Sequence, residues 1–470
     1  MTSAERESLT LSQRPEPSAA RPYQFPSFSR HRLPNGLRVL IAPLRRLPLV
    51  TMRVVVDAGA ATEHQELAGV AALTVRALAE GTTQRDGAAL AEAFERFGAS
   101  LSPFANWDDV DLATTVVRDR LPQVLQLLGE VVRTPAFPEH EIARLRDERL
   151  AELLELRAEP RGLADEMFEA LLYTAGSRFA YPEAGRADTV SSLGPAQVRH
   201  FYSARFKPSA TTLIVAGDVI EDEVLAQVEK VFGGWSGDPL PLPALEVGPA
   251  TESRTIHLIG RPGAPQTEIR VGHVGLPRRT ADYFSVVLMN AILGGVFNSR
   301  INLNLREKHG FTYGASSVFD WRRAPGPFVV STAVATEVTG PAVHEVLAEL
   351  ERMRTTAPDM AEVSLVASYL EGVFPIRFET TEAIASALAA LTTFQLPDDY
   401  YDTYRGHIRA VTTESIADAA RRHLHTDRLQ IVAVGDPDRI GEQLASLALG
   451  PVISRDTLGL PLGSPPHATA

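Results

Sequence analysis

A chain of 470 residues with 44% apolar and 22% charged side chains has the composition of a folded protein of about two to four domains, which excludes wholesale disorder. Its net charge of −12 leaves no cationic surplus for non-specific nucleic-acid binding, and its lack of cysteine excludes disulfides, zinc–thiolate sites, iron–sulfur clusters and thiol nucleophiles. The longest apolar runs, at 212–217 and 429–435, are strand-sized and fall short of the ~18 residues of a membrane span.

Residues 1–24 are polar and rich in Ser, Glu, Arg and Pro, which predicts a disordered leader. With no signal-peptide core in it, a cytoplasmic location and no membrane partner are expected. Residues 25–236 are expected to form an N-terminal half that mixes strands and helices. Residues 51–58 alternate, Met52, Val54 and Val56 against Arg53, Val55 and Asp57, and predict a strand. Asp86 predicts the cap of a helix whose apolar face is Leu90, Ala93, Phe94 and Phe97, closed by Gly98. A second strand is expected over 111–117. Pro138 opens a long helix with Glu139 and Glu141 in its first turn, where negative charge suits the helix dipole. Its predicted inner face is Ile142, Leu145, Leu153 and Leu156. After Trp235 come Pro239, Pro241 and Pro243 in a segment without helical or strand period, and a linker is expected over 237–254. A C-terminal half over 255–450 and a Gly/Pro/Ser-rich tail over 451–470 complete the chain.

The two halves repeat. Gly217-Asp218 and Gly435-Asp436 each close an apolar run, at an offset of 435 − 217 = 218. At that offset, without a gap, Leu193 meets Val411, Val198 meets Ile416, Phe201 meets Ala419, Phe206 meets Leu424 and Leu213 meets Ile431. Each copy reads as an amphipathic helix, a break, a strand and Gly-Asp, the mark of a duplication. The expected fold class is α+β: two homologous halves, each a mixed or antiparallel sheet with helices packed on one face.

Direct motif reading finds little chemistry. None of the 12 histidines is spaced i,i+4 with another, and there is no nucleophile elbow or phosphate-binding P-loop. His423 and His425, two apart before a predicted strand, are expected at an exposed helix end rather than on a metal.

A resemblance adds more. The stretch from Gly69 to Gly81-Thr82, with Leu33-Pro34-Asn35-Gly36-Leu37 and Asp57-Ala58-Gly59 before it, resembles the pitrilysin/insulinase-type zinc metallopeptidases, processing-peptidase-like. In that family this helix carries His-x-x-Glu-His. Here Ala72, Val75 and Arg76 stand at those positions. The third ligand's place, in the long helix, is filled by Glu152, at 152 − 76 = 76 residues beyond Arg76. One carboxylate of three ligands cannot hold zinc, so no metal is expected on this chain, and Glu152 is expected to be a helix residue ion-paired with Arg76. The second half keeps another family feature: Leu293-Gly294-Gly295, then Arg306-Glu-Lys-His-Gly310 and a strand bearing Tyr313, with 313 − 306 = 7 as in the family.

The resemblance implies a division of labour between two subunits, a zinc-bearing one and a partner that keeps Arg and Tyr. This chain resembles the second type. Arg306 would bind a peptide carbonyl or carboxylate and Tyr313 would donate to a developing oxyanion, both in trans. Gly294, Gly295 and an edge strand beginning at Ala99, Ser100, Leu101 and Ser102 would line the path of an unfolded peptide, which adds a strand to the sheet. Zinc would belong to the partner of the heterodimer. A structural scaffold and a non-catalytic peptide-binding homodimer are the alternative readings.

Overall fold

A computed structural model describes residues 22–462, so the leader call up to residue 21 and the end of the tail from 463 lie outside the described residues. Two six-stranded mixed sheets organise the molecule. The first holds β1 (Ser29–Arg32), β2 (Arg38–Pro43), β3 (Leu49–Val56), β4 (Ser102–Ala105), β5 (Val110–Val117) and β6 (Thr211–Gly217), in the order β1-β2-β6-β3-β5-β4. The second holds β7 (Thr255–Gly260), β8 (Gln266–Val274), β9 (Ala315–Phe319), β10 (Pro327–Ala335), β11 (Gln430–Gly435) and β12 (Val452–Arg455), in the order β12-β7-β11-β8-β10-β9.

The repeat inferred from the 218-residue offset is visible strand by strand. β6 lies parallel to β2 and antiparallel to β3, and β11 lies parallel to β7 and antiparallel to β8. The helices before them, Pro195–Arg205 and Thr413–His423, start and stop at the same offset. Each sheet ends in an edge strand, β4 in one and β9 in the other.

The predicted local signals form as expected. Asp86 caps the helix Gly87–Glu95 by accepting the Ala89 N–H at 2.8 Å, with Leu90 and Phe94 buried and Gly98 at φ 68° behind it. Pro138 precedes the long helix Glu139–Ala158, which buries Ile142, Leu145 and Leu153. Leu156, expected on that inner face, is instead exposed at 47%. Residues 452–455, placed by composition at the start of the tail, form β12 against β7.

Each sheet carries its own half's helices on one face. The opposite face is covered from the other half. Helix Pro160–Leu172 packs Leu163, Ala164, Met167 and Phe168 on β8 and β11, in one cluster with Ile259, Val432 and Val434. Phe168 reaches so close to β8 that a side chain at Gly272 would meet its ring at 2.8 Å. Reciprocally, helix Thr381–Thr393 packs on β3 and β6, with Ile384, Ala385 and Leu388 clustered against Val55, Ile214 and Ala216. This exchange explains why β6 and β11 are buried residue after residue instead of alternating: both of their faces are dry. The linker region 237–248 forms no helix or strand, and Pro249 makes a single bridge to Tyr173.

The one helical stretch among the described residues long and apolar enough to cross a membrane, Tyr283–Lys308, is a core element. Val286, Leu288, Met289, Ile292, Leu293, Ile301 and Leu305 are all buried in the second half's core, and packing accounts for their apolarity.

Candidate functional site

The positions at which the resemblance implies metal ligands do come together. Helix Val70–Ala77 lies against the long helix Glu139–Ala158, and Ala72, Val75, Arg76, Arg149 and Glu152 line one cleft of about 200 Å³ with Pro103, Phe104 and Ala105 of edge strand β4. Three features set the helix in place. Gly69 at φ 100° begins it, where a side chain would collide with the Ala184 carbonyl at 2.8 Å. The carboxylate of Glu63 accepts the N–H groups of Gly69 and Ala71, at 3.0 and 2.6 Å. Arg178, itself buried, donates to Glu63 at 2.7 Å and to the carbonyls of Tyr181, Pro182 and Glu183. Sequence reading missed Glu63 and Arg178, since neither belongs to a local motif.

The cleft is chemically an ion-pair site. Arg76 Nη1 donates to Glu152 Oε1 at 3.1 Å and its Nη2 lies 3.5 Å from Glu148; Arg149 Nη1 donates to Glu152 Oε2 at 3.1 Å. Partial burial would raise the Glu152 carboxyl, but the hydrogen bond from Arg149 and the charge of Arg76 outweigh it and hold the carboxyl below its usual range. Both Glu152 oxygens are thus engaged by guanidinium groups. Ala72 and Val75 offer no donor atom, and Arg76 puts a cation where a cation would bind. These residues do not fit zinc. Among the described residues no cluster of three or more His, Cys, Asp or Glu could hold a metal. His423 and His425 share no site either: His423 Nε2 bonds Asp282 at 2.7 Å, while the His425 ring packs edge-on to His273 at 5.0 Å.

Glu183 lines the same cleft. Burial pushes its carboxyl up to about 7, against the lowering effect of Arg322.

The expected peptide-binding edge begins later than the sequence suggests. Ser102 opens β4, and Leu101 only leads into it. Ala99 is 5% exposed and joins the core, so it faces no substrate, and Ser100 lies in the connection. β4 pairs with β5 on one side and, among the described residues, has no strand on the other, with Phe104 exposed.

In the second half, Gly294 is not part of an open loop. It lies within a π-helical turn, Ala291–Gly295, where a side chain would strike Ser317 of β9 at 2.5 Å; its smallness serves packing. Gly295 is exposed beside it. Arg306 sits in a second π-helical segment, Leu303–Lys308, with its guanidinium 4.6 Å above the exposed Phe297 ring. Such wide turns recur at functional sites. Tyr313, expected on a strand, lies instead in the bend two residues before β9, because Gly310 at φ 64° ends the helix and Thr312 Oγ1 donates to the Gly314 carbonyl. Its side chain is 94% exposed and has no hydrogen-bond partner among the described residues. Among the described residues, no hydrogen bond, ion pair or ring contact joins Arg306 or Tyr313 to Arg76, Glu152 or β4. The two sets stand on different halves of the same chain.

Comparison with known proteins fits this picture. A model of the insulinase family, peptidase family M16, matches residues 38–182, and a model of the peptidase M16 inactive domain matches 192–370. The chain belongs to peptidase family M16. It is 25% identical over 424 residues, 90% of this chain and 96% of the relative, to a protein of Mycobacterium tuberculosis described as an uncharacterized zinc protease. It is 23% identical over 418 residues, 86% of this chain and 77% of the relative, to a probable mitochondrial-processing peptidase subunit beta of Arabidopsis thaliana. A crystal structure of a peptidase M16 inactive domain from Pseudomonas fluorescens superposes with a TM-score of 0.81 at 27% identity, over 87% of this chain and 98% of that one. A protease from Helicobacter pylori shares the fold at a TM-score of 0.81 and 17% identity, over 88% of this chain and 100% of that one. This M16 chain therefore has relatives named for zinc, while Ala72, Val75 and Arg76 stand where the resemblance places zinc ligands.

Proposed function

We propose that this M16 chain is the zinc-free subunit of a heterodimeric peptidase, acting on an unfolded peptide together with a zinc-bearing homologue. One observation carries the reading. Where the metal positions fall, an Arg76–Glu152 ion pair fills the cleft, while Tyr313 is 94% exposed with its hydroxyl unused. The exposed hydroxyl is free to meet a group on a second chain. The metal and its water belong to the partner. This chain contributes Arg306, whose planar fork suits a peptide carbonyl or carboxylate, and Tyr313, whose O–H donates to charge developing on the scissile carbonyl. The free edge of β4 offers a place for an extended peptide beside the cleft.

Steady-state kinetics of this chain mixed with a zinc-bearing homologue tests the reading. Tyr313→Phe should leave pairing intact and lower kcat by roughly 10²-fold, the scale of one oxyanion donor. Arg306→Ala should raise KM more than it lowers kcat, because its contact is made in ground and transition states alike. Unchanged kinetics for both variants, with pairing verified, would reduce the chain to a scaffold.

A further inference from the structure

The cleft between the end of β8 and helix Tyr400–Ala410 holds two adjacent arginines that the peptidase reading does not use. Its volume is about 470 Å³, and Arg278, Arg279, Thr280, Phe284, Thr403 and His407 line it, with Asp399 as its one carboxylate. Arg278 is only 7% exposed. Its guanidinium lies 3.5 Å over the Tyr283 ring and 5.1 Å from the Tyr400 ring, and its Nη2 donates to the Tyr400 hydroxyl at 2.6 Å. Its other side-chain nitrogens have no hydrogen-bond partner among the described residues, and no carboxylate there lies within ion-pairing distance. Every other arginine as buried, Arg178, Arg270, Arg300, Arg322 and Arg405 among them, has an acidic partner or a run of carbonyls. Arg279 beside it bonds, among the described residues, only the side-chain carbonyl of Gln395, at 3.1 Å. A buried charge without a counter-ion is costly, and a ligand of opposite sign removes that cost.

We propose that this cleft binds a phosphate monoester. Two guanidinium groups line the one cleft, and their forks of donors suit a tetrahedral dianion better than a singly charged carboxylate. The Thr280 hydroxyl, which accepts from the Asp282 N–H at 3.3 Å, keeps its own proton to donate. The Phe284 ring, stacked on His407 at 4.7 Å, gives the cleft an aromatic wall, and the volume exceeds that of bare phosphate. An ester carrying a ring would fill it.

Calorimetric titration of the full chain at fixed ionic strength, with phenyl phosphate, inorganic phosphate and benzoate as probes, tests this. Phenyl phosphate should bind at one site, at least 10-fold more tightly than benzoate, with inorganic phosphate between them. Arg279→Gln, an exposed change, should weaken phenyl phosphate about 10-fold, the loss of one charged hydrogen bond. Arg278→Lys should weaken it further; if that variant fails to fold, the Arg279 result stands alone. Equal affinity for all three probes, or phenyl phosphate binding that Arg279→Gln leaves unchanged, would overturn the proposal.

Discussion

Arg76 shows how one side chain fills a cleft that the resemblance assigns to a metal. Its guanidinium satisfies Glu152 and Glu148, so the cleft stays electrically balanced without an ion. Substituting Ala72→His and Arg76→His, with Glu152 in place, should therefore create a three-ligand zinc site. Val75 is best left alone: it is 1% exposed, and a glutamate there would bury a further charge. Cobalt absorption and a zinc-to-chain ratio near one would verify the geometry. A folded double variant that takes up neither metal would show that these positions do not converge. The ion pair at Arg76 was legible from the spacing of a degenerate motif. Glu63 was not, because its burial depends on Arg178, 115 residues away, and local sequence gives no sign of that partner. Glu63→Ala should strand the Arg178 charge and two backbone N–H groups, and cost about 3–5 kcal/mol by denaturant titration. A loss under about 1 kcal/mol would mean that the helix holds its place without them.

At the level of elements, periodicity and turn chemistry foretold the Asp86 cap, the Pro138 start and the matched pair β6 and β11. All of these are local. What could not be read was where each helix docks. Helices Pro160–Leu172 and Thr381–Thr393 are apolar on one side, like any amphipathic helix, and nothing in their own residues says that the sheet they cover belongs to the other half. The expectation that Leu156 faces inward came from the same blindness, whereas that of Tyr313 on a strand came from the resemblance and missed the turn set by Gly310 and Thr312. The exchange has a testable consequence. Residues 22–236 expressed alone lack the cover of Ile384 and Leu388, leaving Val55, Ile214 and Ala216 bare. That fragment should be insoluble or molten, and co-expression with 237–462 should restore a soluble pair. Within the intact chain, Leu388→Ala should cost about 2–5 kcal/mol, the range for a buried leucine. A fragment that unfolds cooperatively on its own would refute the interdependence of the halves.

Across the whole molecule, the two halves meet around a cavity of about 460 Å³ rich in carboxylates, among them Asp108, Asp109, Asp111, Glu169 and Asp320. Several of these hold the halves together: Asp108 accepts the Arg323 N–H at 3.0 Å, Asp109 accepts the Thr393 hydroxyl at 2.5 Å, and Arg322 bonds Glu169 at 2.9 Å. Burial is the dominant influence, and it pushes Asp108 and Asp111 up to about 6, against the pull of Arg323 on one and Arg53 on the other. A carboxyl raised in the folded state binds its proton more tightly there than in the unfolded chain. Its contribution to stability is therefore complete below the unfolded value near 4 and is lost as pH rises through about 6. Glu152, Glu362 and Asp282 are held low and act in the opposite sense, losing their contribution as pH falls below about 4. Asp108 and Asp111 should therefore each add a decline between about pH 4 and 6, with a slope of up to ~1.4 kcal/mol per pH unit, which His257 and His273, held low by burial, oppose over the same range. Asp108→Asn keeps an acceptor for Arg323 but removes the titration. It should match the wild type near pH 4.5, exceed it at pH 8, and flatten the decline between. Urea titrations at those two pH values measure the difference, and a variant equally destabilised at both would place the cost of Asp108 in its contacts rather than in its charge.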